Sequence, residues 1–234
     1  GAHARQQVVD KILALSGKTA DDDALALEPL QRFVAVRLTR SETERLSTSL
    51  AAPGVPGRTV QRVWRNAPKW ALVDKSVHTV QARPAHIAYG AMGAGITWGV
   101  LDSGINTGHP HFQTHATIKG LFDCTRRGQP VVGEAPDEHG HGTHVAGIIA
   151  GAWTPPGENA TMLSGMAPRA SLYVYRVLDK DGAGDDAWII KALDHVASTN
   201  EQAGQLVIHG INLSLGGSFD QSVYACGHSP LCRE

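Results

Sequence analysis

An α/β fold built on a doubly wound, mostly parallel sheet is predicted for most of this chain, on three observations. From Ala85 onward, short apolar runs alternate with helical stretches, the texture of repeated strand–helix–strand units. Glycine is abundant, 26 of 234 residues, so tight turns and close backbone approaches should be frequent. Hydrophobic residues make up 42% of the chain and charged residues 18%, which supplies a packed core and excludes disorder.

The elements follow in order. Residues 5–15 carry Val8, Val9, Ile12, Leu13 and Leu15 at near-helical spacing, with Gly17 as a stop, and predict an amino-terminal helix. Asp21-Asp22-Asp23 reads as a solvated turn, since three adjacent carboxylates without a glycine turn or further spaced ligands do not make a metal site. Phe33–Leu38 reads as a short strand, and Ser41 with Glu44 reads as a capping box opening a helix. Pro53-Gly54-Val55-Pro56-Gly57 is a breaker. The texture changes between residues 70 and 85. The chain therefore divides into a small α+β amino-terminal extension over 1–84 and a sheet-bearing part over 85–234. Strands are expected at 96–101, 118–122, 172–177 and 207–213, and helices at 141–151 and 185–199. The second helix shows Trp188, Ile189, Leu193 and Val196 on one face. Such sheets gather functional groups outside the carboxyl ends of their strands.

Charge narrows the partners. Lys and Arg number 21 against 22 Asp and Glu, a net charge of −1, without the basic excess that broad nucleic-acid binding needs. The longest apolar runs, such as Val145 to Trp153, fall far short of the roughly 18 residues of a membrane span. Neither nucleic acid nor membrane is an expected partner. Three cysteines are too few for a disulfide scaffold. Cys226 and Cys232 could close a short loop, but reduced thiols and a cytoplasmic location are favoured on compartment logic.

Three segments carry chemistry. Gly99-Val100-Leu101-Asp102-Ser103-Gly104 is an apolar strand ending in a carboxylate; alone, it reads as an ordinary Asx turn. His139-Gly140-His141-Gly142-Thr143-His144 sets imidazoles at a helix start, where His and repeated Gly cost helix stability. A metal site is the competing reading, but His141 and His144 lack the His-Glu-x-x-His pattern and a third ligand. Asn212-Leu213-Ser214-Leu215-Gly216-Gly217 is a strand losing its side chains, which suits close approach by another backbone. In this order, the three resemble the subtilisin-like serine peptidase family. Val100–Gly104 is similar to its aspartate motif, His141–Gly147 to its histidine motif, and Ser214–Gly217 to one strand lining its substrate cleft. Gly165–Pro168 with Ala170–Leu172 resembles the segment entering a core strand, and Asp181–Gly184 the other cleft strand. His109–Phe112 fits a structural loop of the family. The resemblance covers about residues 85–234.

The resemblance implies an endopeptidase acting on peptide or protein substrates. His141 would be the general base and then the general acid. Asp102 would hold its tautomer and stabilise the imidazolium, against a helix start whose dipole disfavours a cation. Gly182, Ala183 and Gly184, with Ser214, Leu215 and Gly216, would clamp an extended peptide by main-chain hydrogen bonds. His139 and His144 are read as supporting. No cofactor is expected; calcium is common in the family, but this stretch shows no ligand loop.

The family's serine lies about 157 residues after its histidine, whereas 93 residues follow His141 here. Ser164, in Ser164-Gly165-Met166-Ala167, is rejected because it approaches a core strand. No Asn follows Asn212 to serve the oxyanion. The expected partner is therefore a carboxyl-terminal half carrying the Ser and the oxyanion Asn, which would also cover exposed sheet edges. A non-catalytic peptide-binding module using the same cleft strands is the rival. Many relatives carry a folded propeptide that plugs the cleft. The Phe33–Leu38 strand and its following helix resemble a remnant, but a retained extension is preferred because the segment is short. Trp64 and Trp70, flanked by Arg62, Arg65 and Lys69, read as aromatics packed on the peptidase part rather than as a docking surface.

Overall fold

The structure is a computed structural model that describes residues 2–51, 60, 63–66, 68–71, 80, 82–157, 162–217 and 230–233. The Pro53–Gly57 breaker and Cys226 lie outside the described residues. The chain forms two compact units, residues 1–66 with 221–234 and residues 67–220. Among the described residues, no helix is long and apolar enough to cross a membrane.

In the first unit, α1 (Ala2–Ser16) buries Val9 and Ile12 against Leu25, Leu27 and Leu46. β1 (Glu28–Pro29) and β2 (Val34–Ala35) form a two-residue antiparallel ladder. The strand expected over 33–38 is thus shortened. Its partner offers only two residues, and Val36 and Leu38 pack on the small core instead. α2 (Arg40–Ala51) opens with a capping box, but two residues earlier than Ser41 and Glu44. Thr39 Oγ1 accepts the Glu42 N–H at 3.2 Å, and Glu42 Oε2 accepts the Thr39 N–H at 2.7 Å. Burial decides between the two registers. Glu42 is buried beside Lys18 at 3.3 Å, whereas Glu44 is exposed and pairs with Arg40. The backbone and side-chain hydrogen bonds from Thr39 hold the Glu42 carboxyl at about 2. A helical turn at Pro230–Arg233 completes this unit.

The second unit begins with β3 (Pro68–Ala71) and α3 (Ala82–Tyr89). There follow β4 (Thr97–Asp102), β5 (Ile118–Asp123), β6 (Val131–Val132) and α4 (His141–Ala150). After a small hairpin, β7 (Ala152–Trp153) with β8 (Leu163–Ser164), come β9 (Ser171–Arg176) and β10 (Ala183–Asp185). α5 (Asp186–Ala203), β11 (Gly210–Leu213) and β12 (Leu215–Gly216) end it. The main sheet has the order β11-β4-β9-β5-β6. Its first four strands are parallel and β6 is antiparallel.

Successive strand residues point to opposite faces, and the two faces carry different helices. Val100, Leu172 and Val174 pack with Val145, Ala146 and Ala150 of α4. On the other face, Tyr175 stacks on Phe122 at 4.8 Å, and its hydroxyl lies 3.0 Å from Nδ1 of His195 in α5. This is the predicted α/β class, a mostly parallel sheet wound on both sides. The predicted strands are present within a few residues. The largest shift is β11, which begins at Gly210 rather than at residue 207. The N–H groups of Val207 and Ile208 go to the Asn200 side chain at 2.9 Å and not to a neighbouring strand. α5 runs four residues past its expected end to the left-handed Gly204, with Asp185 capping its start.

Candidate active site

β4 is apolar until its last residue, and its register against β9 sets Asp102 opposite Arg176 at the carboxyl edge of the sheet. Val100, Leu101 and Asp102 are fully buried. Asp102 Oδ1 accepts the Ser103 N–H at 2.7 Å and lies 2.6 Å from Nδ1 of His141. Burial pushes the Asp102 carboxyl above its ordinary range, against the pull of hydrogen bonds from His141 and Ser103.

His141 is the first residue of α4 and is 5% exposed. The turn into the helix is made by Gly140, in the left-handed region at φ 92°, with no side-chain cap of its own. A Cβ on Gly142 would collide with the Gly104 carbonyl, so glycine there lets the helix start sit against the loop that follows β4. Of the three clustered histidines, only His141 meets Asp102. His139 is exposed, with its ring 6.2 Å from that of His141, and His144 is exposed as well. His109 and His111 stand 5.1 Å apart in a separate loop where His111 faces Trp153. Among the described residues, no group of three or more His, Cys, Asp or Glu is arranged to hold a metal.

The corner contains a residue that motif reading passed over. Asp137 Oδ1 accepts the Ser103 hydroxyl at 2.8 Å and the N–H groups of Gly140 at 2.8 Å and His139 at 3.2 Å. Its Oδ2 accepts the Thr143 N–H at 2.8 Å and the Thr143 hydroxyl at 2.5 Å. Burial works to raise the Asp137 carboxyl, but hydrogen bonds from Thr143, Gly140 and Ser103 outweigh it and hold the group below its ordinary range. The available signal was a carboxylate four residues before His141 in a glycine-rich loop.

The segments expected to clamp a peptide leave from the strands beside Asp102. β11 pairs with β4 up to Leu213 opposite Leu101, and β12 follows it after Ser214. On the other side, Val177 and Leu178 donate their N–H groups to the Asp102 carbonyl, and Gly184 sits close against the Val177 carbonyl. Gly182 lies against Nε2 of His139 in the left-handed region at φ 72°. β10 and β12 do not pair with each other. A third strand lies between them, giving the order β10-β3-β12. Trp70 pairs with Ala183 on one side and Gly216 on the other, Lys69 with Gly184, and Ala71 with Leu215, all antiparallel. No local signal announces β3. Pro68 and Lys69 are poor strand residues, and their pairing depends on two segments more than a hundred residues away. The two tryptophans read together also part company: Trp64 meets Phe33 edge-on at 5.9 Å in the first unit, while Trp70 is a residue of β3. Ser164 lies in β8, opposite Ala152 of β7.

A family model described as the subtilase family matches residues 93–229, more than half of the chain. The chain belongs to the subtilase family. A subtilisin-like protease of Coccidioides posadasii is 34% identical over 160 residues, 68% of this subtilase chain and 37% of that protein. Subtilisin E of Bacillus subtilis is 35% identical over 134 residues, 57% of the subtilase chain and 30% of its own length. The chain thus spans about a third of the length of these relatives. The solved structure of Sphericase aligns with 56% of the subtilase chain and 40% of its own, at 34% identity and a TM-score of 0.47. The relatives are fungal as well as bacterial.

Proposed function

We propose that Asp102 and His141 are the orienting carboxylate and the general base of a serine endopeptidase. The nucleophilic serine and the oxyanion Asn would come from polypeptide outside these 234 residues. The observation that carries the reading is the 2.6 Å approach of His141 Nδ1 to the buried Asp102 Oδ1 at the carboxyl edge of the sheet. A serine hydroxyl is a weak nucleophile near neutral pH. With Nδ1–H donated to Asp102, the tautomer leaves Nε2 as a base toward an incoming hydroxyl. As the serine oxygen attacks the scissile carbonyl, His141 takes its proton and the buried carboxylate stabilises the resulting imidazolium. The proton then passes to the leaving amine.

The substrate class is an extended peptide. β3 is held antiparallel between β10 and β12, which is how a peptide adds to two exposed strand edges by main-chain hydrogen bonds. In the chain as it stands, β3 holds that place itself, so an added substrate has to displace it.

The test is intact mass spectrometry of the purified protein containing this chain, before and after reaction with a fluorophosphonate probe. One probe mass on the serine-bearing polypeptide, lost in His141→Ala, is the expected result. Absence of labelling, together with tight binding of an uncut peptide, would overturn the peptidase reading and leave a peptide-binding module.

A further inference from the structure

We infer that Asp137 is a positioning residue for the Asp102–His141 pair, its carboxylate tying the loop that carries one to the helix start that carries the other. The inference rests on reading that pair as an orienter and base. An Asp that merely caps a turn serves one or two N–H groups of its own loop. Asp137 does that for His139 and Gly140, and then does two further things. Its Oδ1 also accepts the hydroxyl of Ser103, 34 positions earlier and directly after Asp102. Its Oδ2 takes both the N–H and the hydroxyl of Thr143, two residues into α4.

A closed ring results. The Ser103 hydroxyl, having donated to Asp137, accepts the N–H of Gly142 at 2.9 Å, and Gly142 is the residue after His141. Both residues that follow the catalytic pair in sequence are therefore bound to one carboxylate or to its partner hydroxyl. Thr143 Oγ1 extends the ring by accepting the Asn106 N–H at 2.8 Å, at the far end of the loop after Asp102. The ring also answers a structural need. The first N–H groups of a helix have no intrahelical partner, and Gly140 has no side chain to supply one. Asp137 and Ser103 cap α4 from outside it, with an anion at the positive end of the helix. Hydrogen bonds to an ionised group are about twice as strong as neutral ones. The helix start, and with it the imidazole, is thereby held in one place relative to β4.

The test is proton NMR of the purified protein containing this chain, with 15N-labelled histidine. The unaltered chain is expected to show the His141 Nδ1–H far downfield, as a short bond to Asp102 requires. Asp137→Asn keeps the shape but turns an amide donor toward groups that are themselves donors. Ser103→Ala deletes the hydroxyl that donates to Asp137 and accepts from Gly142, and it keeps the test decisive should the first variant fold poorly. Each should speed exchange of that proton with water by at least about tenfold. Ile189→Val, a core change in α5, should leave the rate within about twofold. Wild-type exchange in both Asp137→Asn and Ser103→Ala would overturn the proposal, as would equal acceleration in Ile189→Val. If the unaltered chain shows no downfield resonance, the pair is not oriented and the proposal falls with it. In the assembled peptidase, Asp137→Asn should lower kcat about 10²-fold with KM within about twofold. A KM rise without loss of kcat would assign Asp137 to the cleft instead. The resonance needs no turnover, so an inactive assembly would overturn the proposed function and not this inference.

Discussion

The proposed catalytic corner and the proposed peptide cleft lie in the same unit and are built on opposite plans. In the corner, buried and half-buried polar side chains hold the arrangement together. Asp102, His141, Asp137, Ser103 and Thr143 hold one another at distances of 2.5 to 2.9 Å, and glycine is needed where backbones touch. In the cleft, the interactions are main-chain ladders that join β3 to β10 and β12, and the two outer strands carry small residues at Ala183, Gly184 and Gly216. Proton transfer demands particular side chains at fixed distances, whereas strand addition demands only free edges and room. The corner should therefore tolerate almost no substitution, and the cleft should respond mainly to changes in its backbone.

The largest effect expected is on turnover. His141→Ala removes the base and should lower kcat by about 10⁶-fold while leaving peptide affinity nearly unchanged; a variant retaining even a hundredth of the activity would break the division between corner and cleft. Next comes Asp102→Asn, with a loss of about 10⁴-fold. Its stability should move the other way. Because burial raises the Asp102 carboxyl, the ionised group costs the folded state free energy as pH rises through its folded value. That cost is absent below the unfolded value of about 4. Thermal melts should thus show Asp102→Asn at least as stable as the parent at pH 7, with the advantage gone below about pH 4. A lower melting temperature at pH 7 would show that the carboxylate stabilises the fold as well as the chemistry.

A smaller, sharper contrast pairs two substitutions. Gly142→Ala presses a methyl into the Gly104 carbonyl and should cost about 1–3 kcal/mol in urea unfolding. Ala183→Ser, on a cleft strand, should stay within about 0.5 kcal/mol. Equal costs would erase the distinction. The least effect concerns β3. Trp70→Pro removes one ladder donor, worth about 0.5–1.5 kcal/mol, and should tighten binding of an added Pro-Lys-Trp-Ala peptide by up to about tenfold. Unchanged affinity by fluorescence anisotropy would mean that β3 and the peptide do not compete.

Parts of this molecule were legible in its sequence because the signals were local. The apolar run into Asp102 and the glycines around His141 mark a strand end and a helix start whatever surrounds them, and the sheet strands announced themselves by their apolar runs. Boundaries were less legible where a side chain settled them from elsewhere. Asn200 captures the N–H groups that would have lengthened β11, and the burial of Glu42 beside Lys18 moves the capping box from Ser41 to Thr39. The long reach of Asp137 was hidden for a related reason. Nothing in its own neighbourhood says that it will also meet the hydroxyl of Ser103.

Hydrophobic period determines the α/β class from sequence alone, and the order and spacing of the motifs carry the resemblance to the subtilase family, which in turn implies that Asp102 and His141 are partners. These signals travel with the chain because each is local. Only the tertiary structure decides that β3 lies between β10 and β12, and that Asp137 closes a ring around the two motif-bearing loops. Both depend on segments distant along the chain meeting at one edge of a sheet. The pairing of backbone edges leaves almost no trace in side-chain sequence, because every residue except proline offers the same N–H and C=O.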